Sequence, residues 1–207
     1  VDPNISVHHI MPEGSTLKKG DVFFELRGDV RSILRVERCM LNFLMRLCAI
    51  STYTRQIKDS LPPSSSTQIL DTRKTLPGWR YLDKMAVQVG GGKNHRMGLF
   101  DAVLIKDNHI SAAGGVAQAV LRMKNYLRKT KRTHLLIEVE VDNLEQLQEA
   151  LDTKADIVLL DNFNNLEVEK AVLLNKNRVE LEVSGGILGA RVPILAQLGV
   201  HRISIGA

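Results

Sequence analysis

The chain has 207 residues, 44% of them hydrophobic and 25% charged, with 28 Lys and Arg against 23 Asp and Glu for a formal net charge of +5. That length allows one good core, or one large domain plus part of a second, and the composition is that of a soluble globular protein rather than a disordered or fibrous one. No apolar run approaches the ~20 residues that span a bilayer, no charged-then-apolar leader opens the chain, and the modest basic excess points only weakly to anionic partners.

The first part reads as β structure. Ile5 to Ile10 fits a strand, Pro12-Glu13-Gly14-Ser15 a turn, and Val22-Phe23-Phe24-Glu25-Leu26 a second strand closed by Gly28. Ser32 to Val36 is expected to be a third. Three short strands cannot bury a core alone, so residues 1–38 are expected to be part of a small N-terminal α/β sandwich domain. A helix is predicted from Glu37 to Ile57, with Leu41, Leu44, Met45, Cys48 and Ala49 at helical spacing. Cys39 and Cys48 share it about 13 Å apart, too far for a disulfide. Two isolated thiols fit a packing role in a reducing compartment, read here as the cytoplasm. Ser60 to Thr67 is a Ser/Pro loop.

From Gln68 onward, short apolar runs alternate with amphipathic helices. The runs are Ile69-Leu70, Ala102 to Ile105, Leu135 to Ile137, Ile157 to Leu160, Val179 to Val183 and Ile203 to Ile205. Helices are expected at Val116 to Leu127, Leu144 to Leu151 and Leu166 to Leu174, the second opened by a capping box of Asn143 and Gln146. Arg128-Lys129-Thr130-Lys131-Arg132 ends the first of these and reads as a solvated helix end complementing the dipole, not a nucleic-acid patch. Strand–helix repetition argues for a parallel α/β fold. The tight spacing of the later strands favours a TIM-like α/β barrel of about seven strands over residues 39–207, with a doubly wound sheet as the alternative. The opening Val1 and the closing strand lead us to expect a chain trimmed at both ends.

Nearly every strand ends in residues with chemistry. Ile69-Leu70 runs into Asp71-Thr72-Arg73-Lys74, Ile105 into Lys106-Asp107-Asn108-His109, and Ile137 into Glu138-Val139-Glu140. Leu160 runs into Asp161-Asn162, Val183 into Ser184-Gly185-Gly186, and Ile205 into Gly206. In an α/β barrel these C-terminal strand ends build the active site. A single Asp after a strand is often just a helix cap; six such coincidences in register are harder to explain that way. Arg73, Lys74, His95, Arg96 and Lys106 form a cationic set that would repel itself without an anionic ligand. Glu140 and Asp161 suit Mg²⁺ or sugar hydroxyls. Ser184-Gly185-Gly186 and Gly206 resemble backbone cradles for a phosphate.

Gly90-Gly91-Gly92 before His95-Arg96 reads either as a mobile loop delivering cations or as an ordinary loop. His95 has no second His or Cys at ligand spacing. Ser184 lacks a nucleophile elbow, and no Ser-His-Asp or Cys-His set is evident. Arg38, by sequence alone, is a solvated charge near a helix start.

These motifs resemble one family. Ile69 through Gly78, Gly90 through His95-Arg96 to Lys106-Asp107-Asn108-His109, Glu138 to Asp142, Leu160 to Phe163 and Ser184 to Ile187 are similar, in order, to the signatures of quinolinate phosphoribosyltransferases. Pro12 to Ser15 and Glu37-Arg38 to Leu41-Asn42 fit as well. The resemblance covers nearly the whole chain; family members carry more residues before Val1 and further helices after Ala207. It implies that quinolinate and phosphoribosyl pyrophosphate give nicotinate mononucleotide, pyrophosphate and CO₂ with Mg²⁺, in de novo NAD synthesis. It further implies that Arg38, Arg73, Lys74, His95, Arg96 and Lys106 bind the quinolinate carboxylates and the phosphates. Glu140 and Asp161 would face the ribose and the metal through water and substrate. Together with Lys106 they form the expected catalytic set. Ser184, Gly185, Gly186 and Gly206 would hold the 5′-phosphate. The resemblance also implies a homodimer, with Arg38 reaching the neighbouring site. Two rivals remain: a relative linked to molybdenum transport with a different acceptor, against which the cations at Arg73, Lys74, His95 and Arg96 weigh, and a nucleic-acid-binding or sensory module with no need of Glu140 or Asp161.

Overall fold

The computed structural model describes residues 2–206. Strands β1 (Ser6–His8) and β2 (Glu25–Arg27) pair antiparallel, with Val7 opposite Leu26. The expected third strand does not form. Ser32 to Val36 lie in the 30-residue helix α1 (Val30–Asp59), which runs unbroken across position 38. The Asp29 carboxylate accepts from Ser32 N at 3.0 Å and so caps the helix start. Val30, Ile33 and Val36 are strand formers by propensity, but that cap and three-residue spacing suit a helix.

Only Thr54 and Ile57 of α1 are buried. Of the predicted apolar stripe, Leu41 and Leu44 are half-buried, whereas Met45, Cys48 and Ala49 are exposed. Both cysteines are free and exposed, so the packing role expected of them is not seen in this chain. Helix α1 packs on α2 (Arg80–Val89). Arg46 donates from Nε and Nη2 to the two oxygens of Asp83 at 3.0 and 2.7 Å and lies over Trp79, which stacks on Phe43. The glycine triplet closes this packing. A Cβ at Gly90 would fall 2.4 Å from Ser51 O, and one at Gly92 would fall 2.7 Å from the Val87 side chain. It is a close-packed joint, not a mobile loop.

Six strands form one parallel sheet: β3 (Gln68–Leu70), β4 (Val103–Ile105), β5 (Ile137–Val141), β6 (Ile157–Asp161), β7 (Glu180–Ser184) and β8 (Arg202–Ser204). Their spatial order is β3-β8-β7-β6-β5-β4. Four ladders join neighbours in the chain. The fifth joins the first strand to the last, with Gln68 opposite Arg202 and Leu70 opposite Ser204. Strands β4 to β8 follow one another without the reversal of order that marks a doubly wound sheet, and β3 and β4, successive in the chain, stand at the two edges, the order of a barrel that has not closed by a ladder among the described residues. On the far edge of β3, Lys93 makes a single parallel bridge to Leu70. The sheet is therefore six strands plus one bridging residue beyond the β3 edge.

Helices α3 (Asp107–Ala113), α4 (Val116–Lys129), α5 (Leu144–Asp152), α6 (Asn165–Asn175) and α7 (Val192–Gln197) follow strands β4 to β7. The Asn143 side chain caps α5 by accepting from Gln146 N at 2.9 Å. The return bond of a capping box is absent, because the Gln146 side chain accepts instead from Asp142 N.

Strand residues alternate between two surroundings. Ile69, Val139, Val158, Leu160, Leu181, Val183 and Ile203 pack outward against the helices in one apolar cluster. Alternate positions point inside. Leu70 and Leu159 are buried there, together with Glu138 and Glu182 at 3% and 0% exposure. A barrel interior is ordinarily layered with branched apolar side chains; this one carries charge. That charge lies directly beneath the C-terminal rim of the strands.

Candidate active site

Because all six strands are parallel, their C-terminal ends share one rim. Asp161 and Ser184 stand opposite each other at the ends of β6 and β7, and Ser184 Oγ donates to Asp161 Oδ1 at 2.7 Å. The Asn162 amide donates to Asp161 Oδ2 at 2.8 Å. Gly185 follows with φ +91°, where a Cβ would fall 2.1 Å from the Asn162 side chain. Only glycine fits there. Gly186, at φ +57°, is exposed, and a Cβ on it would meet no atom within 4 Å, so the cradle opens outward.

Lys106 begins α3 immediately after β4. Its Nζ donates to both oxygens of Glu140, at 3.1 and 2.8 Å. Beside β3, the Thr72 hydroxyl accepts from Lys74 N at 3.1 Å, and Gly206 packs against Thr72 and the Lys74 stem. The β3–β8 ladder is what brings these ends together.

The cations of the two adjacent segments are held by a buried frame. Lys84 of α2, 1% exposed, pairs with Asp71 and donates to His95 O at 2.8 Å. Asp71 Oδ1 in turn accepts from His95 N at 2.8 Å. The Asn94 amide, oriented to satisfy its neighbours, donates to Lys84 O at 2.9 Å and Asp71 Oδ2 at 2.7 Å. Arg80 ties the same segments by donating to Arg73 O and Met97 O. Arg73 and Arg96 thus come close. Burial and the charge of Arg73 both lower the Arg96 pKa, with Glu138, Asp101 and Glu140 opposing. Two neighbouring guanidiniums on one rim, with Arg73 Nε buried and unpaired, suit an anionic ligand.

His95 points into the charged interior. Its Nε2 lies 3.0 Å from Glu138 and 3.4 Å from Glu182. Arg202 Nε is 3.1 Å from the other Glu182 oxygen, close enough to attract but not aligned as a hydrogen bond. Burial works against a charged ring, but the hydrogen bonds and charges of Glu138 and Glu182 outweigh it and push the His95 pKa up to about 9. Burial likewise raises Glu138. Arg96 N approaches His95 Nδ1 at 2.7 Å, a contact that favours an unprotonated Nδ1 and competes with the charge. Two buried carboxylates win over that contact, because charge-assisted pairs exceed one neutral hydrogen bond. The ligand-type atoms of His95, Glu138 and Glu182 lie within 4.8 Å of one another, a grouping that no spacing in the sequence discloses. With Nε2 already bonded and Arg202 alongside, it is an ion-pair cluster.

Glu140 and Asp161 offer the hard oxygens that Mg²⁺ takes. Both carboxylates already hold protein donors, so they fit Mg²⁺ reached through water and ligand oxygens rather than direct chelation.

This geometry has close counterparts. The model of the quinolinate phosphoribosyl transferase C-terminal domain matches residues 50–207, and that of its N-terminal domain matches residues 1–48, so the two meet within α1. The chain belongs to the quinolinate phosphoribosyltransferase family. It is 41% identical over 222 residues to quinolinate phosphoribosyltransferase [decarboxylating] 2b, mitochondrial, of Nicotiana tabacum, covering 100% of this chain but only 62% of that relative's length. It is 39% identical over 206 residues to a probable nicotinate-nucleotide pyrophosphorylase [carboxylating] of Bacillus subtilis, covering 100% of this chain and 70% of the relative. The structure of the nicotinate-nucleotide pyrophosphorylase from Francisella tularensis superposes with a TM-score of 0.92 at 43% identity, over 99% of this chain and 71% of that one.

In this family member the rim brings together Arg73, Lys74, Arg96, Lys106, Glu140, Asp161, Ser184, Gly185, Gly186 and Gly206, with His95 just beneath. Arg38 is not among them. It is exposed on α1, and from Thr54, where that helix is buried, it lies about 24 Å along the axis. Reading by sequence missed Lys84, Arg80 and Glu182, and named Asp71 and Glu138 at strand ends without giving them a role. Glu138 and Glu182 could have been found from the alternation in Ile137-Glu138-Val139-Glu140-Val141 and Glu180-Leu181-Glu182-Val183, which places acids on the inner face.

Proposed function

We propose that this chain transfers the phosphoribosyl group of phosphoribosyl pyrophosphate to quinolinate with loss of CO₂, giving nicotinate mononucleotide and pyrophosphate for NAD synthesis. The observation that carries the reading is the pairing of a multi-cation pocket (Arg73, Lys74, His95, Arg96) with a Ser-Gly-Gly cradle across one barrel rim. Quinolinate brings two carboxylates, and the sugar donor brings phosphates; each half of the rim matches one of them.

The chemistry follows from charge. The bond from C1′ to the pyrophosphate oxygen breaks and its electron pair leaves with pyrophosphate, while the quinolinate nitrogen bonds to C1′. Glu140 and Asp161 offset the positive charge that develops on the sugar. Lys106, anchored on Glu140, binds an anionic group. Glu140 and Asp161 would hold Mg²⁺ through water and phosphate, and the ion would supply charge neutralisation for the leaving group. The alkylated ring nitrogen, now cationic, stabilises the electron pair left on the ring carbon when CO₂ departs, and a proton then takes that pair. No protein nucleophile is required. Ser184, Gly185, Gly186 and Gly206 hold the 5′-phosphate.

The full-length protein, given quinolinate, sugar donor and Mg²⁺, should release CO₂ and mononucleotide in equal amounts. No turnover, or equal turnover with nicotinate, would overturn the acceptor assignment.

The working unit we propose is a homodimer with Arg38 contributed to the neighbouring rim. Leu34, Phe43 and Met45 are exposed apolar side chains on the same helix, at 59%, 40% and 57%, and fit coverage by a second copy. Mixing inactive Arg38→Ala and Lys106→Ala subunits should restore activity in hybrid dimers, where one rim is intact. Isolated hybrids without activity would remove Arg38 from a shared site.

A further inference from the structure

Glu182 occupies the centre of β7, is 0% exposed, and neither of its oxygens makes an aligned hydrogen bond. Such a group carries a large desolvation penalty unless its charge is used. Its neighbours show where the charge acts. His95 Nε2 lies 3.4 Å from one oxygen and Arg202 Nε 3.1 Å from the other. Glu138, from β5, meets the same His95 nitrogen at 3.0 Å. The ring is thus held from two strands, while its backbone N–H is fixed on Asp71 and its carbonyl on Lys84. Every freedom of residue 95 is constrained, and Arg96 follows it directly.

We propose that Glu182 is a positioning residue: with Glu138 it clamps the His95 ring from inside the barrel, and that ring, with Nδ1 against Arg96 N, fixes Arg96 toward a carboxylate-bearing ligand. This rests on the dicarboxylate acceptor proposed above. The ring faces Glu138 from β5 and Glu182 from β7. Arg202 of β8 sits behind Glu182 and shares its charge. Asp71 and Lys84 complete the charged surroundings, and they balance each other. Glu138 and Glu182, with half-exposed Glu180 also drawing on Arg202 at 3.6 Å, outnumber that one guanidinium, so the surroundings favour a charged ring. Removing the charge of Glu182 therefore loosens the ring, whereas removing Arg202 frees Glu182 to hold it more firmly. A general packing lesion would move both variants the same way.

The test uses full-length protein labelled with ¹⁵N-histidine, with the His95 ring nitrogens followed by NMR at pH 8. The unsubstituted protein and Arg202→Gln should show the imidazolium pattern, and Glu182→Gln the neutral one. In steady-state kinetics, Glu182→Gln should raise the KM for quinolinate by about ten-fold or more, the equivalent of one charge-assisted hydrogen bond, while the KM for the sugar donor stays within about two-fold. Should Glu182→Gln fail to fold, Glu138→Gln interrogates the same ring from the other strand. An unchanged ring signal in Glu182→Gln, a shift of the same sign in Arg202→Gln, or equal loss for both substrates would each overturn the proposal. A protein that does not turn over quinolinate at all would sink the acceptor assignment, and the ring signals would still decide whether Glu182 holds His95.

Discussion

Lys106→Ala is expected to reduce turnover by about 10²–10³-fold, the scale on which a single preorganised charge acts in a site of this kind. Lys106 is the cation that the fold delivers to Glu140, bonded to both of its oxygens. Without it, Glu140 is left as an uncompensated carboxylate at 12% exposure, in a rim that on the proposed function receives pyrophosphate and carboxylate anions. Binding and charge stabilisation would fail together. Stability would change little, because the Lys106 side chain is 43% exposed and half-exposed ion pairs contribute about 0–1 kcal/mol. The thermal midpoint should fall by no more than a few degrees. Single-turnover assays beside a melting curve check both halves. Near-normal activity would take Lys106 out of the site, and a collapsed melt would make its role structural.

Lys84→Met makes the opposite prediction. Lys84 is 1% exposed and its ammonium is matched to Asp71, itself 8% exposed. Deleting one member of a buried pair leaves the other charged in a low-dielectric interior and costs about 3–5 kcal/mol. In a chain of this size that corresponds to a fall in melting midpoint on the order of 10 °C. Burial already raises Asp71, with the Lys84 charge opposing, so removing the ammonium leaves desolvation uncontested. The double variant Lys84→Met, Asp71→Leu should recover most of the stability, since an apolar pair can replace a buried ion pair at little loss. It should not recover activity, because His95 N would lose its acceptor at 2.8 Å. Denaturant melts on the three variants, with turnover measured alongside, separate the two effects. A stable and active double variant would show the pair to be dispensable for the site.

Much of the barrel was readable because its strands are short apolar runs at close intervals, each followed by a residue with chemistry. Five of the six runs from Ile69 to Ile205 became strands within one residue at each end, whereas Leu135 to Ile137 meets β5 only at Ile137. What escaped depended on context. Ser32 to Val36 carries strand formers, and the Asp29 cap with the three-residue apolar spacing turns it helical. Helix α3 begins in Asp107-Asn108-His109, residues that read as site chemistry rather than as a first turn; yet His109 Nδ1 accepts from Lys106 N at 3.0 Å and helps start the helix. At the site, the rim residues were legible because each directly follows a strand. Their supports were not. Lys84 lies on a helix that apolar spacing did not disclose, and its partner is 13 residues away. Glu182 and His95 are 87 positions apart, and nothing local joins them. The glycine triplet was open between two readings, and packing against Ser51 and Thr54 settles it. Arg38 is legible only through resemblance.

The pairing of β3 with β8 also constrains how the molecule is made. Residues 68 and 202 must find each other across the whole intervening barrel, and loop-closure entropy grows with that separation. The chain-neighbour ladders β4-β5-β6-β7-β8 can assemble progressively as synthesis proceeds. The β3–β8 ladder waits for the last of them. Until then Ile69 and Leu70, now 5% and 2% exposed, form an open apolar edge, the kind of surface that recruits chaperones or seeds misassembly. The β3–β8 pairing is therefore expected to come late in refolding, and the cationic segment behind β3 would join the Ser184-Gly185-Gly186 loop only in that step.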